Sequence, residues 1–210
     1  MYRYVLFYFY LLDMINILII LMYRKNKKKY KNRYKRFFEN KKDVKYYFCH
    51  WTKKNIIKYI KKLKINAIIL SGSQYRILDN KKNIPNISKK IFDLNIPILG
   101  ICYGYEYLIK HFGNRKCIGS FIDNKYHTYY KALKINKPFN VKKQDYILIH
   151  HDYVIKLPKD WSSIIKIKGI YHMAYNIKKN YIGIQYHPER NYKTGAIFFN
   201  NWIKYLKTII

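Results

Sequence analysis

Ile96-Pro-Ile-Leu-Gly-Ile-Cys-Tyr-Gly-Tyr-Glu-Tyr-Leu-Ile-Lys-His-Phe-Gly113 changes its periodicity halfway along. Up to Ile101 it is a short apolar run, as in a buried strand; beyond Cys102 the apolar residues Leu108, Ile109 and Phe112 recur at helical spacing. Cys102 stands on the turn between the two, with Gly100 and Gly104 on either side of it. Glycines so placed permit a sharp bend, and such an elbow lifts the central side chain out at the carboxyl end of a strand, onto a helix N-terminus. Free N–H groups and the helix dipole there favour a thiolate, which predicts a lowered thiol pKa. On this stretch alone a buried structural cysteine is the stronger reading. A second stretch must decide.

That stretch is Gly183-Ile-Gln-Tyr-His-Pro-Glu189, a buried strand running into a histidine with a carboxylate two residues later. Cysteine and histidine form a nucleophile and base, and a carboxylate orients the imidazole and stabilises its charged form. In open α/β sheets the carboxyl ends of the strands share one edge, so Cys102 and His187 can meet there, with Glu189 behind. Either motif alone fits an ordinary turn. Together they predict a Cys102, His187, Glu189 constellation.

Working outward, Ile15 to Leu21, Val44 to Trp51 and Ile65 to Leu70 read as strands. Helices are predicted over Arg24 to Lys42, with Tyr30, Tyr34, Phe37 and Phe38 on one face, and over Lys53 to Lys64, with Ile56, Ile57, Ile60 and Leu63 inward. Ser71-Gly72-Ser73-Gln74 closes the third strand, Asn86 to Asn95 suggests a further helix, and the alternation gives a parallel sheet with right-handed crossovers. After Gly113 the segments Cys117 to Asp123, Tyr126 to Ile135, Tyr146 to His150, Ile164 to Lys168, Ile170 to Asn176 and Tyr181 to Gln185 are short and strand-like, an antiparallel or mixed section. Gly195 to Leu206 is a closing helix with Ile197, Phe198, Trp202 and Leu206 as its buried face. The fold class is α/β: an open, mostly parallel sheet flanked by helices.

The 210 residues suit one domain, 15–210, behind an N-terminal extension at 1–14. Tyr4 to Tyr23 is nearly all apolar and is followed by Arg24, Lys25 and Lys27 to Lys29, as beside a membrane anchor. Asp13 within it would cost about 2.5 to 3.5 kcal/mol at a bilayer centre, and Asn16 adds to that, so the strand at Ile15 to Leu21 is favoured and a membrane is not. Cys49, Cys102 and Cys117, an odd count at irregular spacing, point to a reducing compartment such as the cytoplasm. The net charge of +32 fits a nucleic-acid partner, but only seven of the 43 basic residues are arginine. Lys, Ile, Tyr and Asn are the residues of AT-rich codons, so codon bias is the favoured source of the charge.

On these motifs the chain resembles the class I (triad-type) glutamine amidotransferases. Pro-Ile-Leu-Gly-Ile-Cys-Tyr-Gly and Tyr-His-Pro-Glu are most similar to the glutaminase part of GMP synthetase, collinearly from about Ile15 to Leu206. The resemblance implies a flavodoxin-like three-layer fold and hydrolysis of the glutamine side-chain amide, with ammonia passed to a separate ATP-dependent synthetase, in purine biosynthesis where GMP is made. It implies attack by Cys102 giving a γ-glutamyl thioester, proton shuttling by His187 held by Glu189, and an oxyanion hole from the Tyr103 N–H and the turn at Gly72 and Ser73. No metal or cofactor is required.

Three departures bear on the substrate side. Ser71-Gly72-Ser73-Gln74 stands where the family reads Ser-Gly-Gly-Pro, placing a β-carbon at the oxyanion turn. Glu106 replaces a substrate-contacting Gln; an ionised carboxylate only accepts hydrogen bonds, and close to Cys102 it would raise the thiol pKa. Ile149-His150-His151-Asp152 replaces Ser-His-Gly-Asp, the loop that helps hold the substrate's α-carboxylate. Two other readings therefore stand beside the amidotransferase: a γ-glutamyl hydrolase or peptidase acting on another γ-glutamyl compound, and a non-catalytic or nucleic-acid-binding module using the basic Arg24 to Lys42 face.

Overall fold

The computed structural model describes residues 14–25, 28–79, 84–123 and 125–210. The proposed extension at 1–14 thus lies outside the described residues except for Met14, as does the first half of the Tyr4 to Tyr23 stretch, Asp13 included.

The elements in chain order are β1 (Ile15–Leu21), α1 (Lys28–Phe38), β2 (Val44–His50), α2 (Ile56–Lys62), β3 (Ala67–Leu70), β4 (Ile98–Ile101), α3 (Tyr103–Phe112), β5 (Ile118–Ser120), β6 (His127–Ile135), β7 (Val141–His150), β8 (Asp152–Val154), β9 (Trp161–Ile167), β10 (Ile170–Asn176), β11 (Tyr181–Ile184) and α4 (Tyr192–Ile209). Seven strands form the main sheet in the order β2-β1-β3-β4-β11-β10-β9. The first five run parallel, and β10 and β9 close one side antiparallel. Two small antiparallel pairs, β5 with β8 and β6 with β7, lie outside it.

β1 is apolar on both faces because both are covered. Ile17, Ile19 and Leu21 point into one core with Tyr34, Phe38, Phe199 and Trp202; Leu18, Ile20 and Met22 point into the other with Ile60, Leu108 and Ile109. Helices α1 and α4 thus cover one face of the sheet and α2 and α3 the other. Asn16 starts the strand rather than opposing it: its N–H donates to Asn66 Oδ1 at 2.8 Å, and Asn66 Nδ2 donates to the Met14 carbonyl at 3.1 Å.

Several sequence expectations need correction. Asn86 to Asn95 holds only a short 3-10 turn at Lys89–Asp93. Its Ile91 and Phe92 are buried and anchor the turn to the core. In α4, Ile197 is exposed, and Phe199 and Ile203 join Phe198, Trp202 and Leu206 on the buried face, an i, i+1, i+4, i+5, i+8 stripe that leaves Ile197 at its edge; the helix starts at Tyr192, with Asn191 Oδ1 accepting from the Thr194 N–H at 3.2 Å. Ile57 and Leu63 of the second helical segment are half-buried, leaving Ile56 and Ile60 as its anchors. Among the described residues no helix is long and apolar enough to cross a membrane.

Candidate active site

Cys102 follows the last residue of β4 with φ 50 and ψ −108. The strain of the elbow therefore sits on the cysteine itself. The flanking glycines serve close approach instead. A β-carbon on Gly100 would lie 2.7 Å from the Gly104 carbonyl oxygen, and one on Gly104 would lie 2.3 Å from that of Leu70. β3, β4 and the first turn of α3 thus pack backbone to backbone. The Cys102 N–H donates to the Ile184 carbonyl at 2.7 Å, which fastens the elbow to β11.

His187 leaves the end of β11, the strand paired in register with β4. Its Nδ1 lies 2.7 Å from Glu189 Oε1, in a pair that is almost wholly buried. On the other side of the ring, Nε2 lies 3.3 Å from the Ile149 carbonyl oxygen, and Cys102 Sγ lies 3.6 Å from the same atom. Thiol and imidazole thus converge on one oxygen. Burial works against the Glu189 charge, but His187 and Arg190 outweigh it and hold the carboxyl below the ordinary range. Gly72 borders both groups: a β-carbon there would stand 3.0 Å from His187 Cε1 and 3.7 Å from Cys102 Cβ. The Ser73 side chain turns toward the end of β1, its Oγ donating to the Met22 carbonyl at 2.7 Å and accepting from the Tyr75 N–H at 3.0 Å.

The expected lowering of the Cys102 pKa is not what the structure gives. Burial pushes the thiol well above its ordinary value, Glu106 and then Glu189 add to the rise, and the Tyr103 N–H opposes it. Desolvation of the anion outweighs the helix terminus. Glu106 itself is buried one turn into α3, and burial together with the nearby Asp152 charge drives its carboxyl well up, toward the neutral acid. The reading of Glu106 as an ionised acceptor is corrected accordingly. In its acid form it can also donate.

Asp152 gathers the remaining residues. Its Oδ1 lies 2.9 Å from His151 Nδ1 and 3.6 Å from Arg76 Nη2, and it accepts from Ser120 Oγ; its Oδ2 accepts from the Leu78 N–H at 3.2 Å. His150 lies 3.0 Å by Nδ1 from the Asp152 carbonyl and 3.1 Å by Nε2 from Tyr129 Oη, and burial pushes its pKa down to about 4. Cys102, Tyr103, Glu106, Ser73, His150, His151 and Asp152 all line one cavity of about 10 Å³, which Tyr126 borders with its hydroxyl donating to the Gln74 carbonyl at 3.1 Å. That is room for about one water. Among the described residues no group of His, Cys, Asp and Glu could hold a metal ion.

Two residues of this site carried no motif. Gln185, on the strand end beneath the elbow, donates through Nε2 to Glu106 Oε1 at 2.7 Å and lies 3.8 Å from Cys102 Sγ. A lone amide in a run of buried apolar residues was its sequence signal. Arg76, which neutralises Asp152, sits in an irregular loop and had none.

The site is thus a mostly parallel α/β sheet with a strained Cys at one strand end and a Glu-paired His at the next. The glutamine amidotransferase class-I family profile matches residues 26–205, and the chain belongs to that family. Among its relatives, the GMP synthase (glutamine-hydrolyzing) of Wigglesworthia glossinidia brevipalpis is 33% identical over 159 residues, 70% of this chain and 30% of that protein. That of Helicobacter acinonychis is 36% identical over 135 residues, 62% of this chain and 25% of that protein. The chain thus matches less than a third of the length of these relatives. In structure, PurLQS from Thermotoga maritima superposes with a TM-score of 0.63 at 17% identity, covering 92% of this chain and 100% of that one. The glutaminase domain of Trypanosoma brucei CTPS gives 0.56 at 10% identity, covering 93% and 92%. At these identities the likeness is one of fold.

Proposed function

We propose that the chain hydrolyses the side-chain amide of glutamine and passes the ammonia to a synthetase partner, with GMP formation as the reaction served. The observation that carries this reading is the convergence of Cys102 Sγ and His187 Nε2 on the Ile149 carbonyl, with His187 Nδ1 on Glu189. Cys102 is a neutral thiol at rest, so its proton moves to His187 as the sulfur attacks the amide carbon. The resulting oxyanion is met by the Tyr103 N–H and by the turn at Gly72 and Ser73. Collapse expels ammonia, which takes the proton from His187 and leaves a γ-glutamyl thioester. Water, deprotonated by His187, then attacks the thioester; glutamate leaves and the proton returns to sulfur. Glu189 balances the imidazolium in both halves.

A cavity of about 10 Å³ does not admit glutamine, so substrate entry requires Tyr126 and His151 to swing aside. Ammonia release from glutamine tests the proposal: wild type with a candidate synthetase should release it and Cys102→Ala should not. Absence of release from wild type, with and without the synthetase, would sink it. The filling of the pocket by Glu106 and His151 favours a second reading, hydrolysis of a different γ-glutamyl compound. A panel of γ-glutamyl amides separates the two by which member is turned over fastest.

A further inference from the structure

The turn after β3, which the chemistry above assigns to the oxyanion, is held by the side chains of its own residues. Ser71 is buried; its Oγ accepts from the Met22 N–H and donates to the Gly72 carbonyl, both at 2.8 Å. Ser73 Oγ, bonded to the Met22 carbonyl at 2.7 Å, ties the turn to the end of β1 a second time. Gln74 reaches further: its Oε1 accepts from the Arg24 N–H at 3.2 Å, and its Nε2 donates to Tyr30 Oη in the first turn of α1. These partners are fixed in turn. The Tyr30 ring stacks on Tyr23 with centroids 3.8 Å apart, and the Tyr23 carbonyl accepts from Trp51 Nε1 at 3.1 Å and lies 2.8 Å from His50 Nε2. One more bond reaches the turn from the cavity side, from Tyr126 Oη to the Gln74 carbonyl at 3.1 Å. It must break when Tyr126 swings aside for substrate. An untethered turn would be free to follow Tyr126 outward, and the donors it carries would go with it.

We propose that Ser73 and Gln74 are positioning residues for the oxyanion turn: their side chains fasten it to Met22, Arg24 and Tyr30, so that Tyr126 opens and closes while the N–H groups of Gly72 and Ser73 stay where the oxyanion forms. The inference rests on the Cys102, His187, Glu189 reading above. Donors aimed at an oxyanion act on the transition state and not on the bound amide, so misplacing them lowers kcat and leaves KM. Gln74 is exposed and Ser73 half-buried, so loss of either tether should move the melting temperature little.

The test pairs kcat and KM for ammonia release with amide hydrogen exchange over residues 70–76. Ser73→Ala and Gln74→Ala each remove a side-chain tether and keep every backbone N–H. Each should lower kcat about three- to tenfold, roughly one net hydrogen bond, leave KM unchanged and speed exchange in the turn. Gln74→Glu keeps both contacts, one oxygen accepting from the Arg24 N–H and the other from Tyr30 Oη, and should restore both readouts. Unaltered exchange in both alanine variants, a loss carried by KM alone, or a Gln74→Glu variant as impaired as Gln74→Ala would each overturn the proposal. Absence of ammonia release from wild type would overturn the glutamine reading instead, and the exchange rates would then decide whether the two side chains hold the turn.

Discussion

Glu106 lies one helical turn beyond Cys102, and its burial decides how it behaves. The folded chain holds it as the neutral acid where the unfolded chain ionises it. Sign follows from that: Glu106 costs no stability below the ordinary carboxylate range and subtracts more as pH rises toward its raised folded value. Glu106→Gln keeps a hydrogen-bonding group of the same shape and removes the ionisation. The variant should therefore unfold at higher urea than wild type at neutral and alkaline pH, by about 1–3 kcal/mol, and match it in acid. A constant difference at every pH would show that Glu106 is ionised in the fold. Glu189 behaves in the opposite sense, its carboxyl being held low by His187. Replacing it with Gln leaves the shape but removes the charge that supports the imidazolium. Ammonia release should fall by roughly 10³ to 10⁴, the scale seen when a triad carboxylate is neutralised, and a drop of less than tenfold (about one hydrogen bond) would remove Glu189 from the proposed triad.

At the scale of elements, the elbow works because β3, β4 and α3 touch through their backbones. Gly104→Ala would place a methyl 2.3 Å from the Leu70 carbonyl oxygen, an atom that belongs to the sheet and cannot swing away. The variant should lose about 1–3 kcal/mol on overpacking grounds and displace Cys102, so thermal melting and ammonia release should fall together. Full activity would mean that the elbow tolerates separation. This packing was partly legible: the glycine spacing around Cys102 and the β-α-β order are local patterns. So was the placing of Cys102 and His187 past the ends of neighbouring strands, since strands of a parallel sheet end on one edge. Gln185 and Arg76 were not, because their contacts join segments far apart in the chain. The pKa of Cys102 was misjudged for a related reason: a helix terminus is visible in sequence, whereas depth of burial is a property of everything packed around it.

At the largest scale, the 210 residues carry a net charge of +32. Self-repulsion at that density should make added salt stabilising, with the melting temperature rising from low to moderate ionic strength before it levels off as the charges are screened. A flat response would indicate that the charges are already neutralised by bound anions. Acid sensitivity has another source. His150 and His172 are both buried, and each is pushed by burial from 6.5 to about 4. A depressed histidine adds stability that is present above its unfolded pKa and is lost as pH falls toward the folded value. Urea unfolding should show stability dropping between about 6.5 and 4, and His172→Gln should flatten part of that slope. There is also a mechanical consequence of the register between β4 and β11. Cys102 and His187 ride on neighbouring strands joined by the bond from the Cys102 N–H to Ile184, so they form a fixed jaw whose spacing the sheet sets. The opposite wall of the cavity comes from Ser73 in the turn after β3, Tyr126 and His151, none of which lies on those two strands. Larger substrates should thus be penalised in how readily they enter, and much less in how fast the seated bond is broken.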